Sequence, residues 1–335
     1  MSHDPLTRTT EPLPAARYLP VRPDPAPAHL ALTGVGAADP APADPTTTDL
    51  PPVDLEVPEG AALVAPFEFR ALADPGEGQR WSTWSSVVKG ARGPQPRPSW
   101  VITSQAAIDT ELGVLKTGKE ADVFLIERAV PGSAEQTAVL AAKRYRDREH
   151  RNFHRDAGYL EGRSVRRSRD QRAMQGRTRY GMQVLAGQWA MAEFGALCHL
   201  WSLGVPVPYP VQVDGTEILM EFIGSDRVAA PRLAQVRAEP AELAGYFDQI
   251  ANAMRAMAAN GQAHGDLSAY NLLVDQGRVV LIDLPQVVDV VSNPNGMDYL
   301  QRDCRNVCTW FNSHGHRCDP EELFGELVGL AFSQY

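Results

Sequence analysis

The strongest constraint on the fold is a polar loop followed directly by an apolar hairpin, in the stretch 264–283. The loop reads His-Gly-Asp-Leu-Ser-Ala-Tyr-Asn and places Asp266 five residues before Asn271. Two apolar strands joined by a turn at 275–277 come next, and Asp283 follows the second strand. An ionised carboxylate at the end of a buried strand is costly unless a cation pairs with it. The pattern therefore predicts that Asp266, Asn271 and Asp283 share one surface.

These three side chains suit phosphoryl transfer from a magnesium nucleotide. An aspartate can orient the incoming hydroxyl group, and we assign this catalytic role to Asp266. Because Mg²⁺ prefers hard oxygen ligands and takes few of them from protein, Asn271 and Asp283 are the predicted metal ligands. The alternative is two unrelated turn aspartates and a helix-capping asparagine. The cofactors expected from this arrangement are ATP and Mg²⁺.

A cation and a carboxylate that holds it are also expected at such a site. Lys143 ends the apolar stretch 139–143, where it can reach the α- and β-phosphates, and Glu193 lies on an otherwise apolar helical pattern over about 180–203. The chain has 4 lysines beside 28 arginines, so a lysine kept here favours a specific role. The alternative is a lysine snorkelling from a strand edge and an ordinary surface glutamate.

The order of patterns along the chain predicts an α+β fold with two lobes. Strand patterns at 112–128, 139–145 and 218–223, the first with a turn at Gly118, predict a strand-rich N-lobe over about 99–222. Helical periodicity dominates beyond Pro240 and predicts a helical C-lobe over about 223–335, without an extended substrate-docking subdomain. The cleft between the lobes is the expected location of the site.

Composition bounds the rest of the chain. Thirteen of the 27 prolines fall within residues 1–60, so residues 1–98 are predicted to be a largely disordered tail. No apolar run is long enough for a membrane span and the start lacks a secretory pattern, which predicts a cytoplasmic protein without a membrane partner. Cys304 and Cys308, one helical turn apart, fit a pair of reduced thiols better than a zinc site.

A basic segment, Arg144–Arg179, contrasts with the net charge of −9 because it holds twelve arginines against five acidic residues. One interpretation is a solvated basic segment. The other is a docking surface for RNA, a ribosome-related or other phosphate-rich assembly, or an acidic protein. The sequence leaves both open.

Several motifs resemble those of the RIO family of atypical serine/threonine kinases, in its Rio-one-like branch. The stretch 115–124, Leu-Lys-Thr-Gly-Lys-Glu-Ala-Asp-Val-Phe, resembles the phosphate-binding loop of that family. Residues 264–271 resemble its catalytic loop, and 281–286, Leu-Ile-Asp-Leu-Pro-Gln, its metal-binding loop. Stretches at 177–194, 220–224 and 302–307 are also similar, so the resemblance covers about 110–330.

The resemblance implies a protein-kinase-like fold and a role for each matching residue. Lys143 would contact phosphate and pair with Glu193, and Lys119 would belong to the phosphate-binding loop. The backbone of Glu221 and Ile223 would hold adenine at the hinge between the lobes. Members of the family also hydrolyse ATP through a phospho-aspartate, which would form on Asp283. The family acts in ribosome maturation in eukaryotes and archaea, whereas the alanine- and arginine-rich composition suggests a bacterial source, so that role does not carry over.

Three functions remain as hypotheses. The first is a RIO-type serine/threonine kinase or ATPase, acting on an unknown protein or on itself, with Ser164 or Ser168 as conjectured acceptors. The second is a small-molecule kinase of the aminoglycoside or choline type, although only 52 residues follow Asp283 and leave little room for an acceptor pocket. The third is a nucleotide-gated binding module that docks through the basic segment.

Overall fold

The computed structural model describes residues 75–146 and 179–333, all of which belong to one compact unit, Arg70–Tyr335. Most of the predicted tail, most of the basic segment and both conjectured acceptor serines lie outside the described residues. A strand-rich part is followed by a helix-rich part, which confirms the predicted α+β, two-lobed class. Within the described residues, no helix is both long and apolar enough to span a bilayer.

The N-lobe is built on a six-stranded antiparallel sheet with the strand order β1-β2-β3-β4-β6-β5. Its strands are β1 (Gln79–Trp81), β2 (Ile108–Thr117), β3 (Ala121–Ala129), β4 (Thr137–Tyr145), β5 (Pro210–Asp214) and β6 (Glu217–Glu221). The predicted turn at Gly118 joins β2 to β3, and a Cβ atom at Gly118 would lie 2.7 Å from the carbonyl oxygen of Ala121. Glycine is therefore required at this turn because any side chain would collide with the backbone.

Strand β1 lies within the region that the sequence analysis assigned to the tail. A buried polar network attaches this region to the sheet: Arg128 donates to both carboxylate oxygens of Asp109, at 2.6 and 2.9 Å, and to Gln212 Oε1 at 3.0 Å. Gln212 Nε2 in turn donates to Thr83 Oγ1 at 2.7 Å, and Trp84 is buried beside it. The ordered structure therefore begins well before Ser99.

One long helix, α1 (Arg179–Ser202), packs on the sheet and matches the predicted span closely. Its buried positions recur every three or four residues and comprise Ala186, Ala190, Phe194, Leu197 and Leu200. Gly204, with φ +76°, supplies the left-handed residue that ends the helical segment. Glu193 lies on the buried side of this helix beside Phe194, so its carboxylate points into the molecule.

In the described part of the C-lobe the helices are α2 (Pro240–Ala258), α3 (Gly296–Ser313) and α4 (Pro320–Ala331). The α2 residues Ile250, Met254 and Met257 are buried in the same core cluster as Leu300 and Phe311 of α3. Short strands lie between the helices: β7 (Gly224–Ser225), β8 (Val228–Ala229), β9 (Gln262–Ala263), β10 (Leu272–Asp275), β11 (Arg278–Leu281) and β12 (Val288–Asp289). The predicted hairpin is the β10–β11 pair, with Leu272 opposite Leu281. This pairing places the loop before β10 beside the residues after β11.

Candidate active site

Lys143 connects the two lobes at the cleft. It lies on β4, and its Nζ atom is 2.6 Å from Glu193 Oε1 and 2.9 Å from Asp283 Oδ1. The Lys143 side chain is 12% exposed and that of Glu193 is 3% exposed, whereas that of Asp283 is 42% exposed. The carboxylates of Glu193, from α1, and Asp283, from the loop after β11, therefore converge on the ammonium group of Lys143, from β4. The sequence predicted all three residues at the site.

Two further contacts hold Glu193 in this position. The hydroxyl of Tyr145 donates to Glu193 Oε2 through a short hydrogen bond, and the amide of Leu284 donates to Oε1 at 3.3 Å. Glu193 thus links the sheet to the residue directly after Asp283. A shift of α1 would break all of these contacts together, so the helix position and the lysine position are coupled.

Electrostatics keep Lys143 and Asp283 charged. Burial alone would lower the pKa of Lys143, but the carboxylates of Glu193 and Asp283 outweigh it and hold the pKa above its ordinary value. The positive charge of Lys143 lowers the pKa of Asp283 despite the partial burial of that carboxyl group. Both groups are consequently ionised at neutral pH, and the contact between them is an ion pair.

The loop that carries Asp266 is fixed by backbone contacts to Asp303 on α3. The amides of Gly265 and Leu267 donate to Asp303 Oδ2 and Oδ1, each at 2.8 Å. Asp303 is 1% exposed, and burial raises the pKa of its carboxyl group, although both amides favour the ionised form. The sequence analysis quoted Asp303 only within a motif and gave it no role. No pattern in the neighbouring sequence identifies Asp303, because its hydrogen-bond partners, Gly265 and Leu267, are separated from it by about one tenth of the chain length.

Gly265 brings this loop against the loop that carries Asp283. Its φ of +83° lies in the left-handed region, and a Cβ atom there would be 2.3 Å from the carbonyl oxygen of Gln286. His264 Nε2 also lies 3.2 Å from the carbonyl oxygen of Ile282. The two loops that carry the predicted catalytic and metal-binding residues are therefore in direct contact.

The candidate metal ligands have oxygen atoms available. Asn271 Nδ2 donates to the carbonyl oxygen of Asp266 at 2.9 Å, which directs the amide group and leaves Oδ1 as an acceptor. The amide of Ile282 donates to the carbonyl oxygen of Asn271 at 3.0 Å. Asp283 is the next residue after Ile282, so this bond holds Asp283 near Asn271. Asp283 itself has φ +67°, in the left-handed region that residues other than glycine adopt rarely (asparagine and aspartate most often), and such residues cluster at functional sites.

This donor set fits Mg²⁺ bound largely by phosphate and water. Within residues 75–146 and 179–333, no group of three or more His, Cys, Asp or Glu side chains could hold a metal ion alone. Asn271 and Asp283 supply one amide and one carboxylate oxygen, which is the small number of protein ligands that Mg²⁺ usually takes in nucleotide sites. The residues present therefore suit a metal that arrives with a nucleotide.

The hinge between the lobes offers a backbone donor at Ile223, where adenine is expected. The amide of Glu221 donates to the carbonyl oxygen of Tyr209 at 2.9 Å, and the carbonyl of Ile223 accepts from Ala230 at 3.0 Å. For the amide of Ile223, no hydrogen-bond acceptor is found among the described residues. The Ile223 amide is thus a hinge donor that is available to a ligand, whereas the Ile223 carbonyl is already engaged.

Of the two lysines that flank Gly118, the sequence analysis assigned only Lys119. Lys119 is exposed in the β2–β3 turn and has no ion-pair partner in the described part of the chain. A separate cavity of about 320 Å³ lies on the face of α1 that carries Ala192 and His199, and Gln262 also lines it. That cavity contains none of the predicted site residues, so the convergence of side chains, and not cavity size, locates the site.

Known proteins match the chain over the part that contains these residues. A family model described as the RIO domain matches residues 133–323. The RIO-type serine/threonine-protein kinase Rio1 of Haloferax volcanii is 36% identical over 228 residues, which is 68% of this chain and 72% of the relative. The protein of the same name from Thermoplasma acidophilum is 36% identical over 135 residues, 40% of this chain and 69% of the relative.

A human relative is longer than the matched region. The human serine/threonine-protein kinase RIO3 is 29% identical over 232 residues, which is 68% of this chain but only 44% of the relative. The chain therefore spans most of an archaeal relative and less than half of the human one. The family match covers more than half of the chain and includes Lys143, Glu193, Asp266, Asn271 and Asp283. The chain belongs to the RIO family, and the relatives it matches are named serine/threonine-protein kinases.

Proposed function

We propose that this protein is a RIO-type serine/threonine protein kinase that uses Mg-ATP. The observation that carries the proposal is the double contact of Lys143, whose ammonium group meets Glu193 from the helix and Asp283 from the other lobe. The Lys143 ammonium group can exchange its contact with Asp283 for a contact with the phosphates of a nucleotide. Helix α1 and Glu193 need not move for this exchange. Family membership supports the same function.

Each residue has a proposed part in the reaction. Lys143, held by Glu193, binds the α- and β-phosphates, and the Ile223 amide binds adenine. Asn271 and Asp283 hold Mg²⁺, which when bound neutralises charge on the phosphates. The carboxylate of Asp266 accepts the proton of the attacking hydroxyl group. Within the described residues no cation pairs with Asp266, so its carboxylate is free for this role.

The test is phosphate transfer from γ-labelled ATP by the purified full chain, followed by mapping of the labelled residue. Asp266→Asn should abolish transfer with ATP binding largely kept, because the amide cannot accept the proton. Asp248→Asn, an exposed change of the same kind on α2, is the matched control. Transfer by Asp266→Asn at the parent rate would contradict the assignment of the base.

A second candidate is an ATPase cycle with a phospho-aspartate on Asp283. It is favoured by the 42% exposure of the Asp283 side chain, which leaves its second oxygen accessible from the cleft. The label would then be labile in alkali, sensitive to hydroxylamine and absent from Asp283→Asn. Label on serine or threonine supports the kinase, and label on an added aminoglycoside would instead support a small-molecule kinase.

The acceptor, a cytoplasmic location and an RNA or ribosome-related partner for the basic segment are further parts of the proposal. Of the arginines in that segment, Arg144 pairs with Glu111 and Glu217, and Arg146 pairs with Asp122. Those two are therefore engaged within the N-lobe, so the proposed docking depends on the arginines between them and Arg179. RNA binding that weakens steeply with salt would support this docking, and salt-independent binding would contradict it.

A further inference from the structure

Lys116 faces the same cleft as Lys143. In the sheet Lys116 of β2 is opposite Val123 of β3, and Val123 is opposite Lys143 of β4. Directly opposite residues of antiparallel strands point to the same face of a sheet. Lys116 therefore projects on the face from which Lys143 reaches Asp283, two strands or about 10 Å away.

Arg232 approaches from the other lobe. Its Nη1 atom donates to the carbonyl oxygen of Tyr270 at 2.7 Å, and its backbone forms a bridge with Leu273. Tyr270 precedes Asn271 in the loop that carries Asp266. The guanidinium group is thus anchored at the end of the proposed catalytic loop, beside the candidate metal ligands.

The two cations lie within electrostatic reach of each other. Partial burial and then the charge of Arg232 lower the pKa of Lys116; the carboxylate of Asp283 opposes them, and the charge of Lys143 lowers the pKa further. Lys116, Lys143, Arg232 and Asp283 therefore surround one space. Lys143 is already paired with Glu193, so the charges of Lys116 and Arg232 exceed that of the one remaining carboxylate, Asp283, and the space favours an anion.

The loop that carries the proposed base provides no cation of its own. Residues 264–271 contain neither lysine nor arginine. Lys143 is assigned to the α- and β-phosphates, so side-chain contacts to the transferred phosphate, beyond the charge that Mg²⁺ would neutralise, must come from elsewhere in the cleft. Lys116 belongs to the phosphate-binding loop, and Arg232 is hydrogen-bonded to Tyr270, the residue before Asn271, so the two cations would flank a terminal phosphate bound in this space.

We propose that Lys116 and Arg232 bind the terminal phosphate of ATP from opposite lobes and thereby distinguish ATP from ADP. The inference rests on the proposed function. In the absence of nucleotide the two cations repel each other across the cleft, and the terminal phosphate offsets this repulsion. Binding of the triphosphate, and not of the diphosphate, should consequently draw Lys116 and Arg232 together.

The experiment is calorimetric titration of the full chain with ATP and with ADP, in the presence of Mg²⁺, for Lys116→Met, Arg232→Gln and the parent. Each variant should bind ATP about tenfold more weakly, the loss expected for one charge-assisted contact, and ADP within about twofold of the parent. Arg305→Gln, an exposed arginine on α3, is the control and should change neither affinity. Arg232→Lys, which keeps the charge, should restore part of the ATP affinity.

The outcomes separate this inference from the function on which it rests. Weaker binding of ATP and ADP by the same factor would overturn the terminal-phosphate contact but leave the kinase proposal standing. Unchanged ATP affinity in both variants would overturn it as well. Failure of the parent to bind ATP with Mg²⁺ would defeat the kinase proposal itself. A melting temperature for each variant within a few degrees of the parent shows that the affinities refer to folded protein.

Discussion

Removal of the Lys143 charge should destabilise the protein even without nucleotide. Lys143→Met leaves the Glu193 carboxylate, only 3% exposed, without its cation. Removing one partner of a buried ion pair typically costs about 3–5 kcal/mol. We expect the lower end, about 3 kcal/mol, because Tyr145 and the Leu284 amide still donate to Glu193. For a domain of this size that corresponds to a fall of roughly 6–12 °C in melting temperature.

A second substitution tests whether the buried charge is the cause. Glu193→Gln keeps the shape of the side chain: its amide oxygen can still accept from the Leu284 amide, and its amide nitrogen can donate to the Tyr145 hydroxyl. The double variant Lys143→Met/Glu193→Gln should therefore be more stable than Lys143→Met alone, by about 1–2 kcal/mol. The free energies of unfolding come from urea denaturation at pH 7 without nucleotide, followed by tryptophan fluorescence.

A matched control is the exposed pair Arg255–Glu326, with Nε 2.6 Å from Oε1 and side chains 38% and 44% exposed. Arg255→Met should cost less than about 1 kcal/mol, because an exposed ion pair contributes little. The reasoning is refuted if Lys143→Met is as stable as the parent. It is also refuted if the two substitutions at the buried pair are additive.

Three further outcomes follow from the loop geometry. Asp303→Ala should lower the free energy of unfolding by about 2–4 kcal/mol, since it leaves two buried amides without an acceptor, and should slow phosphate transfer more than it weakens ATP binding; denaturation and steady-state kinetics measure both. Gly265→Ala would place a Cβ atom 2.3 Å from the carbonyl oxygen of Gln286 and should push the catalytic loop away from it. We expect slower phosphate transfer at a nearly unchanged melting temperature, or an unfolded protein. Transfer at the parent rate would contradict the role of this contact. Asp283 has a lowered pKa, so its ion pair contributes stability above its ordinary value of 3.8 and loses it as pH falls through the lowered pKa. The difference in melting temperature between the parent and Asp283→Asn should accordingly shrink on acidification below about pH 4, and a constant difference would contradict this.

The sequence was sufficient where the signal is local. Helix α1 has apolar positions at helical spacing, so its span was predicted nearly to the residue. The β10–β11 hairpin was predicted because two short apolar runs flank a turn, and that hairpin alone brings Asn271 beside Asp283. These two elements position Glu193, Asn271 and Asp283, because Glu193 lies on helix α1 and the other two residues flank the hairpin. Their chemical roles remain proposals that the experiments above address.

The parts that the sequence did not predict depend on contacts between distant segments. Strand β1 has three residues, too few for a periodic pattern, and it is attached by pairing with β2 and by the Arg80–Asp109 ion pair. Arg128 has a residue type that is usually exposed, so its complete burial could not be expected from β3 alone. The side chains of Asp303 and Arg232 likewise form hydrogen bonds to a loop that is distant from them in the sequence. Only the folded arrangement brings them next to Asp266 and Asn271.

The two ion pairs of Lys143 differ in a way that bears on how a nucleotide enters. The pair with Glu193 is buried, so breaking it leaves an unpaired charge inside the protein and is strongly unfavourable. The pair with Asp283 involves a carboxylate that is 42% exposed, so water can solvate that carboxylate when the pair breaks. An incoming phosphate can therefore replace Asp283 as a partner of Lys143 at little cost, while Glu193 keeps the ammonium group in place. The carboxylate thus released is the proposed metal ligand, so the exchange would position Lys143 and free Asp283 in the same step.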